Sequence, residues 1–180
     1  MSVKCSKIIE KMEQYAPAAF AEDWDNVGLM VGESERQISR VLVALDINDG
    51  VIDEAIAKDA QLIITHHPFI FKGIKNVNDT TPLGKRIIRL IKNDIAVFSA
   101  HTNLDSAEGG TNATLAQLLG LCNIQGLAEN DSSAVIGRIG DLPKPVTFDG
   151  FISVVKAVLG TDRLSVCGEL DKKIERVGIC

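Results

Sequence analysis

Hydrophobic and polar positions along this chain change their period in a regular way. Ile8, Ile9, Met12 and Tyr15 recur at helical spacing, so the chain opens with an amphipathic helix that Pro17 stops. The polar stretch Glu22-Asp23-Trp24-Asp25-Asn26 leads into a short strand, Val27 to Val31. Arg40 to Asp46 is nearly all apolar and ends on a carboxylate; unbroken apolarity of this kind predicts a strand buried on both faces. Val51, Ile52, Ala55 and Ile56 share a helical face, and Gln61 to Thr65 reads as the next strand. A loop rich in Gly, Asn and Asp spans Pro68 to Thr81. Pro82 then opens a helix with Leu83, Ile87, Leu90 and Ile91 on one face. The strand Asp94 to Ser99 follows. Thr111 as N-cap starts a helix through Leu115, Leu118 and Leu119, and Gly120 ends it.

Strand–helix alternation builds βαβ units. The expected fold class is therefore α/β: a layered sandwich with a mostly parallel or mixed sheet flanked by helices. After Asn130 the texture changes. Ala134 to Gly140 reads as a glycine-punctuated strand, followed by a Pro-bearing turn and a helix from Phe148 to Leu159. Two more strands are expected at Arg163 to Cys167 and Ile174 to Cys180. This divides the chain into a βαβ-type lobe, residues 1–130, and the start of a second lobe, residues 131–180. The last residues sit inside an apolar run, which predicts a paired, buried strand there. The chain thus looks like the N-terminal part of a longer two-lobed protein.

Bulk properties narrow the functional classes. The 180 residues are 46% hydrophobic and 24% charged, as in ordinary soluble domains. A net charge of −5 and an aromatic content of 4% argue against a surface built for nucleic acid. The N-terminus has no signal-peptide pattern, and no apolar run approaches a membrane span. Cys5, Cys122, Cys167 and Cys180 are scattered without a Cys-x-x-Cys pair, which suits reduced thiols in a cytoplasm.

The candidate chemistry is concentrated in two segments. All three histidines fall in Thr65-His66-His67-Pro68 and His101-Thr102-Asn103-Leu104-Asp105, each following an apolar run that reads as a strand. In open parallel sheets ligands bind outside such strand ends. Imidazole and carboxylate are donors for Zn, Fe, Mn and similar ions. One packed and one exposed histidine would explain the pair alone; a second imidazole–carboxylate segment at another strand end tips the reading to metal. Asp46 and Glu108 lie in suitable places, but turn or capping roles explain them equally well. Trp24, Asp25 and Asn26 either line a cleft or form a solvated turn. No P-loop and no Gly-x-Ser-x-Gly elbow occurs. A phosphoesterase of the Asp-His-His type is disfavoured, because Thr65 stands where its Asp belongs.

Three motifs occur in the order seen in the Nif-three-like family, whose members are also called GTP cyclohydrolase I type 2: Trp24-Asp-Asn-Val-Gly-Leu29, Thr65-His66-His67-Pro68 and His101-Thr-Asn-Leu-Asp105. The chain resembles that family from its opening helix to its final strand. The resemblance implies an α/β protein with two divalent metal ions in an inward-facing cleft, usually assembled as a toroidal homohexamer. On the matching positions it implies His66, His67 and Asp105 as metal ligands and His101 as a close neighbour of the site. The family's later His and Glu, which complete and bridge the metals, have no counterpart here.

Two functional classes follow. The first is a cytoplasmic metal-dependent hydrolase acting on a nucleotide-like or other small heterocyclic or phosphorylated substrate, GTP ring opening included. There His101 would act in catalysis by moving protons rather than by holding metal. The second is a non-catalytic metal-binding regulatory or scaffold protein. Fold and metals alone do not select the substrate.

Overall fold

The computed structural model of the protein describes residues 2–127 and 135–180. In chain order its elements are β1 (Val3–Lys4), α1 (Cys5–Tyr15), a 3-10 turn at Ala18–Phe20, β2 (Gly28–Val31), β3 (Gln37–Ile38), β4 (Val41–Ala44), α2 (Asp49–Ala57), β5 (Leu62–Thr65), α3 (Pro82–Lys92), β6 (Ala96–Ser99), α4 (Thr102–Ser106), α5 (Thr111–Leu118), β7 (Cys122–Gly126), β8 (Arg138–Thr147), α6 (Phe148–Leu159) and β9 (Lys173–Ile179). The fold is α/β, with a mixed sheet flanked by helices. The chain divides into two compact units, Met1–Leu104 and Asp105–Cys180.

In the first unit four strands run in the order β2-β6-β5-β4. β4, β5 and β6 are parallel and in register, with Val43 beside Ile64 and Ile64 beside Phe98, whereas β2 runs antiparallel to β6. One face packs Ile63 and Val97 against Ile52 and Ala55 of α2 and Ile87 and Leu90 of α3. The other packs Leu62, Ala96 and Phe98 against Cys5, Ile8, Ile9 and Met12 of α1. Local chemistry sets the helix starts. The Asn48 side chain accepts from the amide of Val51, and Thr81 from that of Gly84 with Pro82 in the first turn.

Several expectations change here. Arg40 to Asp46 is not buried on both faces. β4 is the sheet edge, and Val43 is 75% exposed. Among the described residues, the apolar side chains of α1 cluster with those of β5, β6 and Leu29 of β2, and none from β4 joins them. Ile91 is also exposed, so the buried face of α3 is narrower than its apolar pattern. The segment His101 to Asp105, for which the sequence pattern predicts no element, is largely helical, because α4 begins at Thr102.

In the second unit three antiparallel strands run in the order β7-β8-β9, and α5 and α6 pack on them through Ala116, Leu119, Phe151, Val155 and Val158. α6 spans the expected Phe148–Leu159. The Thr147 side chain caps its start, and Gly160 closes it in the left-handed region at φ 62°. The expected Pro-bearing turn is instead part of β8, which runs through Pro143 and Pro145. The ladder to β9 is irregular between Asp141 and Val146, which absorbs their missing donors. Residues 163–167 form no strand, and β7 was not foreseen, its Cys-Asn-Ile-Gln-Gly being nearly without apolar pattern. The final strand pairs with β8 as expected but lies at a sheet edge, where only Ile179 is buried. The texture change after Asn130 and the start of a strand at Ala134 lie outside the described residues.

Candidate metal centre

The three histidines sit at the carboxyl ends of adjacent parallel strands. β5 ends at Thr65, directly before His66 and His67, and β6 ends at Ser99, two residues before His101. The turn after β5 is tied down from within. The Thr65 hydroxyl lies 2.9 Å from that of Ser99 and 3.0 Å from the His67 carbonyl, and the amide of His67 donates to Leu45 O at 3.0 Å. Thr65 is therefore a buried structural residue. Two successive residues can face one site here because the strand, with its alternation of faces, has already ended.

The rings converge. Centroids lie 5.1 Å apart for His66–His67, 5.1 Å for His66–His101 and 5.7 Å for His67–His101. One ligand-capable nitrogen from each falls within 4.8 Å of the others, the one such group of metal donors among the described residues. Asp105 lies on α4, four residues after His101.

Each ring is also oriented through Nδ1. His66 Nδ1 lies 3.1 Å from the Ala100 carbonyl, His67 Nδ1 2.8 Å from Asp46 Oδ1, and His101 Nδ1 2.9 Å from Asp25 Oδ1. Carbonyl and carboxylate oxygens only accept, so each Nδ1 carries its hydrogen and donates. The basic lone pair then lies on Nε2 in all three rings, as in histidines that bind metal with an outer partner fixing the tautomer. On this observation the residues fit a transition-metal ion, for which three imidazoles are a common donor set.

Asp25 is the residue that the sequence left open, and it is no solvated turn. Its side chain is 0% exposed, and it accepts from His101, from the Thr102 amide at 3.1 Å and from the Thr102 hydroxyl. Burial pushes its carboxyl up. Hydrogen bonds from the Thr102 hydroxyl, the His101 ring and the amides of Asn26 and Thr102 outweigh that and hold it below the usual carboxylate range. Asp46, named but set aside from sequence, does for His67 on the surface what Asp25 does for His101 in the interior. Neither role was readable from spacing, because Asp25 lies 76 residues from His101. Trp24 stands at the same place, its ring centroid 6.3 Å from that of His101.

Comparison with known proteins identifies the kinship. The Duf34/NIF3 (NGG1p interacting factor 3) profile matches residues 3–180. The chain belongs to this family. Among NIF3 relatives, the GTP cyclohydrolase 1 type 2 homolog of Clostridium perfringens is 43% identical over 179 residues, covering 98% of this chain and 68% of its own. The crystal structure of a Staphylococcus aureus hypothetical protein superposes with a TM-score of 0.88 at 28% identity, over 97% of this chain and 70% of that one. A Bacillus cereus protein related to NIF3 gives 0.86 at 26% identity, over 98% and 76%. As for membranes, no helix among the described residues is long and apolar enough to cross one.

Proposed function

We propose that this NIF3 protein is a metal-dependent hydrolase of a nucleotide-like or other small heterocyclic or phosphorylated substrate, with the three-histidine group as its metal centre. The observation that supports this most is that His66, His67 and His101, each with Nδ1 against an oxygen acceptor, bring one ring nitrogen apiece within 4.8 Å of the others. A bound divalent ion would supply Lewis acidity and lower the pKa of water. The chain's own residues do the rest. His66 and His67 hold the ion, the Ala100 carbonyl and Asp46 keep their rings aimed, and the buried Asp25 carboxylate fixes His101. In this reading His101 is a third nitrogen donor, since its ring stands in the same group.

A second role for His101 has its own support. A histidine backed by a fully shielded carboxylate is also the arrangement that holds an imidazole ready to take and return a proton. Asp105 as a carboxylate donor, a second ion, a homohexameric ring, a cytoplasmic location and ring opening of GTP as the reaction remain part of the proposal on family resemblance. The relatives named as GTP cyclohydrolase 1 type 2 homologs support the nucleotide-like substrate class.

The test is metal analysis of the purified protein together with a nucleotide and phosphoester panel, with Mn or Zn added and then chelated. Stoichiometric metal and chelator-sensitive turnover are expected. Metal without turnover on any substrate would favour the scaffold alternative.

A further inference from the structure

Trp24 is large, apolar and 59% exposed, yet the residues that follow it are tied to the rest of the first unit by hydrogen bonds. The amide of Asp25 donates to Glu22 O at 2.9 Å, closing a turn around it. On its C-terminal side, Asp25 is anchored to Thr102 and His101. The Asn26 side-chain amide donates to Ile70 O at 2.5 Å, clamping this loop to the segment that carries Phe71. Phe71 is itself 45% exposed, and its ring meets Trp24 edge-on at 6.1 Å and 62°. The indole in turn stands edge-on to His101 at 75°. A carboxylate, that of Asp25, buried as an anchor while the neighbouring indole, beside His101 and in contact with Phe71, stays in water is the reverse of ordinary packing, in which the apolar ring is the part shielded.

We propose that Trp24 and Phe71 form an aromatic wall that stacks a planar heterocyclic ring and holds it against the three-histidine group. The assignment rests on the metal-centre reading for what lies beside the ring, and it narrows the substrate class to molecules with a flat π-face. An exposed, pre-positioned indole gains most from a flat partner, because stacking covers a full ring face and needs no hydrogen-bond match. A sugar phosphate or aliphatic acid offers no such face. The two rings lie at an angle to each other, so one stacks on the ligand while the other closes its edge.

Trp24 is the single tryptophan in the chain, so its fluorescence reports on this position alone. Metal-loaded protein should be titrated with guanosine 5′-monophosphate and, separately, with ribose 5-phosphate. Saturable quenching by the nucleotide and none by the sugar phosphate is expected. Calorimetry should then show guanosine 5′-monophosphate binding weakened about 5- to 150-fold in Trp24→Ala, the usual size of one base-stacking contact. Trp24→Phe should restore most of it, and metal per chain should be unchanged in both variants. Equal quenching by both ligands, no saturable response to the nucleotide, or undiminished affinity in Trp24→Ala each overturns the wall. Ring-dependent quenching in a protein that turns over no substrate would keep the wall and remove the hydrolase.

Discussion

His101 and Asp25, 76 residues apart, form a shielded pair: Nδ1 lies 2.9 Å from a carboxylate oxygen that no solvent reaches. The pair links the Trp24 loop to the end of β6, so it supports both the orientation of the imidazole and the placement of the indole. Removing it should be felt at the metal. Asp25→Ala leaves four donors unanswered and lets the His101 ring turn. Metal affinity, read by competition with a chromophoric chelator, should fall about 10- to 100-fold, as for other outer partners of metal-binding histidines. Asp25→Asn keeps an acceptor and should lose less. Equal affinities in wild type and Asp25→Ala would show that the ring needs no such partner.

The two roles of His101 separate by metal content. As a nitrogen donor it should behave like His67: both alanine variants should bind less metal, because a donor atom is gone. Activity should then fall in parallel with metal. Should His101→Ala keep wild-type metal while losing about 10²- to 10⁴-fold in turnover, the residue moves protons instead. Plasma mass spectrometry on the same preparations used for kinetics decides between them.

Acid should expose the link between α2 and α3. Arg86 grips Asp49 with two hydrogen bonds, Nε to Oδ1 at 3.1 Å and an η nitrogen to Oδ2 at 2.9 Å, and this bond chiefly holds the Asp49 carboxyl below its usual range. A carboxyl whose pKa is lower folded than unfolded adds stability above its unfolded value, about 3.9, and loses it as pH falls through the folded one. Asp49→Asn should therefore be less stable than wild type in urea at neutral pH, and the two should converge in strong acid. A difference that persists unchanged below both pKa values would assign it to packing.

Thiol accessibility offers a check on the α1 face of the sheet. Cys5, the first residue of α1, is fully buried against the sheet, and burial raises its thiol pKa, whereas Cys122, Cys167 and Cys180 are exposed. Native protein should take three equivalents of iodoacetamide quickly and the fourth only on unfolding. Mass spectrometry that finds Cys5 among the fast-reacting sites would contradict the packing of α1.

Much of this protein was legible as pattern. The opening helix, the Leu62–Thr65 and Ala96–Ser99 strands, the helix at Phe148–Leu159 and the α/β class all follow from local periodicity and caps, which act within a few residues and so are written along the chain. The histidines were legible for the same reason, since each group follows an apolar run directly. What the pattern lacked was anything that depends on neighbours distant in sequence. Unbroken apolarity in Arg40 to Asp46 marks a strand but cannot say that it is an edge, because cover is supplied by a helix from elsewhere. Pro143 and Pro145 look like a turn until an irregular ladder accommodates them. Asp25 reads as a polar loop residue; only folding brings it against Thr102 and His101, where hydrogen bonds outweigh the cost of burial. Local sequence thus determined most elements of the first unit, the helix at Phe148–Leu159 and which side chains end at the strand tips. Tertiary structure decided which of them meet, because convergence of donors is set by strand order and long-range hydrogen bonds that no short stretch of chain contains.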